Sequence, residues 1–63
     1  MVFDNEGNEI LIGMNVYGVE NEIDYDVKGI VEEIFEEDSF GWTSIKIKNY
    51  VGKRNSKFYK IVL

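Results

Sequence analysis

The sequence contains no cysteine, histidine, proline, alanine or glutamine. Without cysteine there is no disulfide framework, no thiol nucleophile and no zinc ribbon. Without histidine the commonest general base and metal ligand are missing, so neither a Ser-His-Asp nor a Cys-His site can be built. No apolar run approaches the ~18 residues that a membrane-spanning helix needs. The opening residues Met1 to Glu6 lack the basic and apolar regions of a secretory signal. These absences predict a cytoplasmic protein with no membrane contact, no cofactor and no enzymatic activity.

What is present is suited to a small sheet. The 63 residues allow one domain, 1–63, near the lower size limit for a fold without disulfides or metal. A hydrophobic fraction of 44%, with 14% aromatic, is enough to build a core rather than leave the chain disordered. Eight Ile and seven Val stand against two Leu, and β-branched side chains favour strands over helices. The Ile-, Lys- and Asn-rich usage suggests an AT-rich genome of bacterial or phage type, which is a genetic inference rather than a physical one.

Charge is segregated along the chain. The twelve acids all lie in residues 1–38 beside a single base, Lys28, giving −11, whereas residues 39–63 carry six bases and no acid, giving +6. Opposite charges on facing strands stabilise each other modestly, so internal pairing is one expectation; two faces meeting different partners is the other.

Along the chain, residues 2–10 read as a short strand, a polar turn around Gly7 and a return. Met14 to Val19 alternates as a half-buried strand with Met14, Val16 and Gly18 on one face. Residues 20–26 form an acidic loop carrying Ile23 and Tyr25. Residues 27–36 are ambiguous. Val27, Ile30, Val31, Ile34 and Phe35 fall at helical spacing, giving an alternative α+β fold with a helix at 27–37. A strand bulged at Glu32-Glu33, with Gly29, Val31 and Ile34 inward, fits equally, and the composition favours it. Residues 37–41 are expected as a hairpin loop and 42–50 as a strand with Ile45 and Ile47 inward. That hairpin sets Glu32 and Glu33 opposite Lys46 and Lys48. Residues 51–56 read as a basic turn and 57–63 as a last strand whose Ile61-Val62-Leu63 end ties into the core. Short strands with turn signals every ten residues or so predict an all-β barrel of about five strands.

The order Gly13-Met14-Asn15-Val16-Tyr17, then Gly29-Ile30-Val31-Glu32-Glu33-Ile34, then Ser44-Ile45-Lys46-Ile47-Lys48 resembles the core of small SH3-like barrels, and in particular the KOW-type pattern. The opening Asp4-Asn5-Glu6-Gly7-Asn8-Glu9-Ile10 is similar to that of short phage and bacterial proteins carrying such a block. The resemblance covers residues 4–48 and implies a fold rather than an activity. It departs from the family at residues 20–26, where an acidic loop replaces the basic one that RNA-contacting KOW domains carry and would repel phosphate. The Ala-Leu-Tyr-Asp-Tyr signature of proline-rich-peptide binders is also missing.

Few motifs carry chemistry. The acids Glu32, Glu33, Glu36, Glu37 and Asp38 read first as a solvated edge paired to lysines, and second as a phosphate mimic or cation site. The pair Asp24 and Asp26 lacks the further oxygen ligands of a calcium loop, so no metal is expected. The carboxylate pairs Glu33/Glu36 and Asp24/Asp26 could serve glycoside chemistry, but a barrel this small has little room for a water-excluding cleft. Six aromatics, Tyr17, Tyr25, Phe40, Trp42, Tyr50 and Tyr59, exceed what a core of fifteen Val and Ile can hold. Those left outside mark a binding patch or merely cover the barrel ends. The expectation is a non-catalytic protein-binding module, an accessory protein that modulates a larger host protein, with Tyr17, Tyr25, Trp42 and Tyr50 as contact residues. One alternative is single-stranded nucleic-acid binding through Lys46, Lys48, Lys53, Arg54 and Lys57 with interleaved aromatics. Another is a structural homo-oligomer, because no proline guards any strand edge; the expected state is a monomer or weak homo-oligomer.

Overall fold

Alternating β-branched residues set the strands, and glycines and polar clusters end them. The computed structural model describes residues 1–37 and 41–63; Asp38, Ser39 and Phe40, which belong to the expected hairpin loop and acidic cluster, lie outside the described residues. The fold is all-β. Its strands among the described residues are β1 (Asn15–Gly18), β2 (Lys28–Phe35), β3 (Ser44–Ile47), β4 (Arg54–Asn55) and β5 (Tyr59–Ile61), with a 3₁₀ turn, Ser56–Phe58, before β5. They form one antiparallel sheet in the order β4-β3-β2-β1-β5. The radius of gyration is 10.2 Å, against about 10.6 Å expected for a compact domain of this length.

The helical reading of 27–37 is corrected. Residues 28–35 are extended because β2 pairs with β1 on one side and β3 on the other, and that double pairing overrides a periodicity that apolar residues can satisfy by chance. The bulge falls where the sequence suggests: the register shifts between Val31 and Glu33, leaving Glu32 as the extra residue. Val31 and Ile34 consequently both face the interior although three residues apart, with Val31 buried and Ile34 packed against the core. Lys46 pairs with Glu33 in register and reaches Glu32 Oε2 at 2.6 Å. Lys48 does not join this pairing; its amide donates to the Ile30 carbonyl, placing it a step further along β2.

The core comprises Val2, Ile10, Val16, Val27, Val31, Ile45, Ile47 and Tyr59, with Ile34, Tyr50, Phe58 and Ile61 packed against it. Three sequence expectations are revised. Residues 51–56 are more than a turn, since Arg54 and Asn55 pair with Ile45 and Ser44 as β4. The C-terminus is not tied into the core: Ile61 is half-buried, and Val62 and Leu63 are exposed. Tyr59, counted among the surplus aromatics, is fully buried.

The N-terminal turn closes β5's outer edge. Phe3 bridges Glu9 across the turn, Asn5 N–H donates to the Tyr59 carbonyl, and Ile61 N–H donates to Asp4 Oδ2. An edge strand that would otherwise present open backbone groups is thereby occupied from within the chain.

Candidate functional site

The outer face of β5, β1 and β2 follows from the two-residue alternation of strands. Val16 and Gly29 sit opposite each other and face inward; their neighbours therefore face out, with Asn15 opposite Ile30, Tyr17 opposite Lys28, and Lys60 opposite Tyr17 on the β5 side. Beyond β5, Val62 N–H donates to the Asn15 carbonyl, which brings Val62 beside Asn15. Two grooves lie on this face. One, of about 690 Å³ and the more apolar, is lined by Asn15, Val16, Tyr17, Lys28, Gly29 and Val62. The second, of about 550 Å³, is lined by Lys28, Gly29, Ile30, Lys48, Asn49 and Tyr50. They share Lys28 and Gly29, so the face is one trough crossing the strands. Gly29 lines both grooves, and its inner side packs closely on the core: a Cβ there would lie 2.8 Å from Ile47 Cγ2.

Large apolar side chains gather on this surface. Tyr17 and Ile30 are each 42% exposed and Val62 54%, large apolar side chains on β1, on β2 and just beyond β5 rather than scattered singly. Asn49, with φ 74°, turns the chain away after β3 and sets Tyr50 against the end of the trough. The Tyr50 N–H donates to the Ile47 carbonyl and closes that turn.

Of the contact residues expected from sequence, Tyr17 lines one of the two joined grooves and Tyr50 the other. Tyr25 and Trp42 are exposed but line neither groove. Phe40 lies outside the described residues. Ile30, Val62 and Lys28 were not anticipated, although a strand with Val31 inward necessarily turns Ile30 outward.

The cations expected to form one basic face are distributed, and all but Lys48 meet an acid or a ring. Lys46 pairs with Glu32, Arg54 Nη1 lies 3.3 Å from Asp24 Oδ1, and Lys60 Nζ lies 4.0 Å from Glu6. Lys53 stands 4.3 Å above the Phe35 ring, Arg54 5.2 Å from that of Tyr50, and Lys57 6.0 Å from that of Phe3. Of this set only Lys48 lines the trough, with Lys28 from the acidic half beside it.

The acidic loop between β1 and β2 is fixed in place. Its backbone bonds to itself at Glu22→Val19, Tyr25→Glu22 and Val27→Asp24 (donor first). Asp24 folds in to accept from the Tyr59 hydroxyl at 2.6 Å and from Arg54. Burial, reinforced by the bond to Asp24, pushes the Tyr59 hydroxyl above the usual phenol range and keeps it a donor at all ordinary pH values. Replacing Tyr59 by Phe leaves the half-buried Asp24 carboxylate short of one donor. A loss of about 1–2 kcal/mol of unfolding free energy is expected, measured by urea denaturation.

No helix among the described residues is long and apolar enough to cross a membrane, and no group of three or more acids among them is placed to hold a metal ion. No protein-family model, curated protein or solved structure matches the chain.

Proposed function

We propose that the chain is a small SH3-like barrel acting as a non-catalytic protein-binding module, with the trough across β5, β1 and β2 as its docking face. The strand order and the 3₁₀ turn before the last strand support the SH3-like reading. The carrying observation for function is the contiguity of Tyr17, Ile30 and Val62, exposed together beside two joined grooves. Contact patches draw most of their affinity from such clustered apolar and aromatic anchors. An accessory protein that docks on a larger host protein, of phage or bacterial type and working in the cytoplasm, fits this reading.

The nucleic-acid reading has weaker support, because Lys46 and Arg54 are paired to acids and Lys53 and Lys57 lie over rings. Oligomerisation by strand addition has little support at β5, whose edge is occupied by Asp4 and Asn5.

Selection from a displayed peptide library tests the proposal. Ile30 is exposed, so Ile30→Asp alters the trough while sparing the core. The wild-type chain is expected to enrich peptides that the folded variant does not retain. Equal retention by both, or enrichment lost only on replacing Trp42, contradicts the proposal.

A further inference from the structure

The charge around the trough identifies the chemistry of its occupant. Lys28 lies where the two grooves meet and Lys48 lines one of them. Both are exposed, and among the described residues neither has a carboxylate within ion-pair distance. Lys60 stands beside Tyr17 on the same face. Among the described residues no acid lines either groove, in a chain that has twelve acids and a net charge of −5. The trough is therefore a local positive, apolar-floored site on an acidic protein.

We infer that the occupant is an acidic segment of a partner protein, carrying carboxylates for Lys28 and Lys48 within a few residues of an aliphatic or aromatic side chain for the Tyr17–Val62 groove. This rests on the docking reading above. Two ammonium groups beside apolar surface gain more from a carboxylate than they would in open water, because the occupant excludes solvent as it seats. Nucleic acid supplies the same sign of charge but fits less well. A nucleic acid carries a phosphate at every nucleotide and would set charge against the fixed acidic loop that follows Tyr17-Gly18, whereas a peptide can place its carboxylates at Lys28 and Lys48 alone.

Fluorescence anisotropy with three synthetic peptides tests this. All three carry isoleucine and tyrosine, and differ only in bearing aspartates, asparagines or lysines at the intervening positions. The aspartate peptide is expected to bind about tenfold or more tighter than the asparagine peptide. In Lys28→Glu/Lys48→Glu, checked for folding by circular dichroism, the preference is expected to pass to the lysine peptide. The single variant Lys48→Gln, expected to narrow the gap between aspartate and asparagine peptides, covers the case in which the double variant does not fold. Equal binding of the aspartate and asparagine peptides overturns the acidic partner but leaves the docking face standing. Failure of all three peptides overturns both. Tighter, lysine-dependent binding of an oligothymidine makes the trough a nucleic-acid surface and overturns the inference. So does a wild-type dimer in sedimentation that Ile23→Ser/Tyr25→Ser dissociates, since the occupant is then the acidic loop of a second copy.

Discussion

Asp4→Ala is expected to cost about 3–4 kcal/mol, a large share of the roughly 3–9 kcal/mol that a domain of this size has in total. Asp4 looks like a surface turn residue in the sequence, yet it is fully buried. Its Oδ1 accepts from the backbone N–H of Glu6 at 2.9 Å and of Asn8 at 2.8 Å, and its Oδ2 from Ile61 N–H at 3.1 Å. One carboxylate thus shapes the N-terminal turn and fastens it to β5. Alanine strands all three donors. Asparagine keeps an oxygen for Glu6 and Asn8 but turns an amide N–H₂ toward the Ile61 N–H, so Asp4→Asn is expected to cost about 2 kcal/mol. Urea denaturation at neutral pH checks both values.

The same residue gives an acid dependence of defined sign. Burial alone raises the Asp4 carboxyl, but the donated bonds from Asn8, Ile61 and Glu6 outweigh it and hold the group below its ordinary value of 3.8. A folded-state value below the unfolded one means that the contribution is fully present above about pH 4 and is lost as pH falls through the lower, folded value. The difference in stability between wild type and Asp4→Asn is therefore expected to be constant from neutrality to about pH 5 and to shrink below about pH 4. The eleven other acids are common to both proteins, so the comparison isolates Asp4. A difference that grows on acidification contradicts the assignment.

The second large effect is steric. A Cβ on Gly18 would fall 1.7 Å from the Asp24 carbonyl oxygen and 2.5 Å from its carbon. Both atoms are backbone and cannot rotate aside. Gly18→Ala must therefore lift the acidic loop off β1 and break the Asp24 bonds to Tyr59 and Arg54. A cost of about 3 kcal/mol is expected, with overpacking and the lost hydrogen bonds contributing together. Because Gly18 lacks a positive φ, the penalty arises from the contact and not from backbone strain. Amide hydrogen exchange should show the loss concentrated in residues 19–27. Uniformly faster exchange with those residues unchanged relative to the rest contradicts it.

How much of this was legible differs from element to element. The inward set Val16, Val31, Ile45 and Ile47 was readable because strand alternation is local, and the bulge at Glu32-Glu33 was readable because, once composition favours a strand, it puts Val31 and Ile34 on one face. The burial of Asp4 was not, because its partners include Ile61, 57 residues away, and no local pattern marks a carboxylate that a distant strand will cover. Gly18 was placed on the inner face, but its close approach to Asp24 depends on how the loop folds back. The C-terminal apolar run misled, since hydrophobicity alone does not distinguish a core strand from one flanking an exposed face. At the candidate site, Tyr17 and Tyr50 were accessible from aromatic surplus. Ile30 and Val62 were passed over because an outward apolar residue on a strand carries no signal until its cross-strand neighbours are known.

Backbone amide and methyl shift mapping of the isotope-labelled chain with a peptide retained in the library selection tests the docking face most directly. The predicted result is a contiguous set of perturbations at Asn15, Tyr17, Lys28, Gly29, Ile30, Lys48, Tyr50 and Val62, with the Asp24–Tyr59 region undisturbed. Perturbations centred instead on Trp42, or on the loop around Ile23 and Tyr25, with the trough silent, would contradict it.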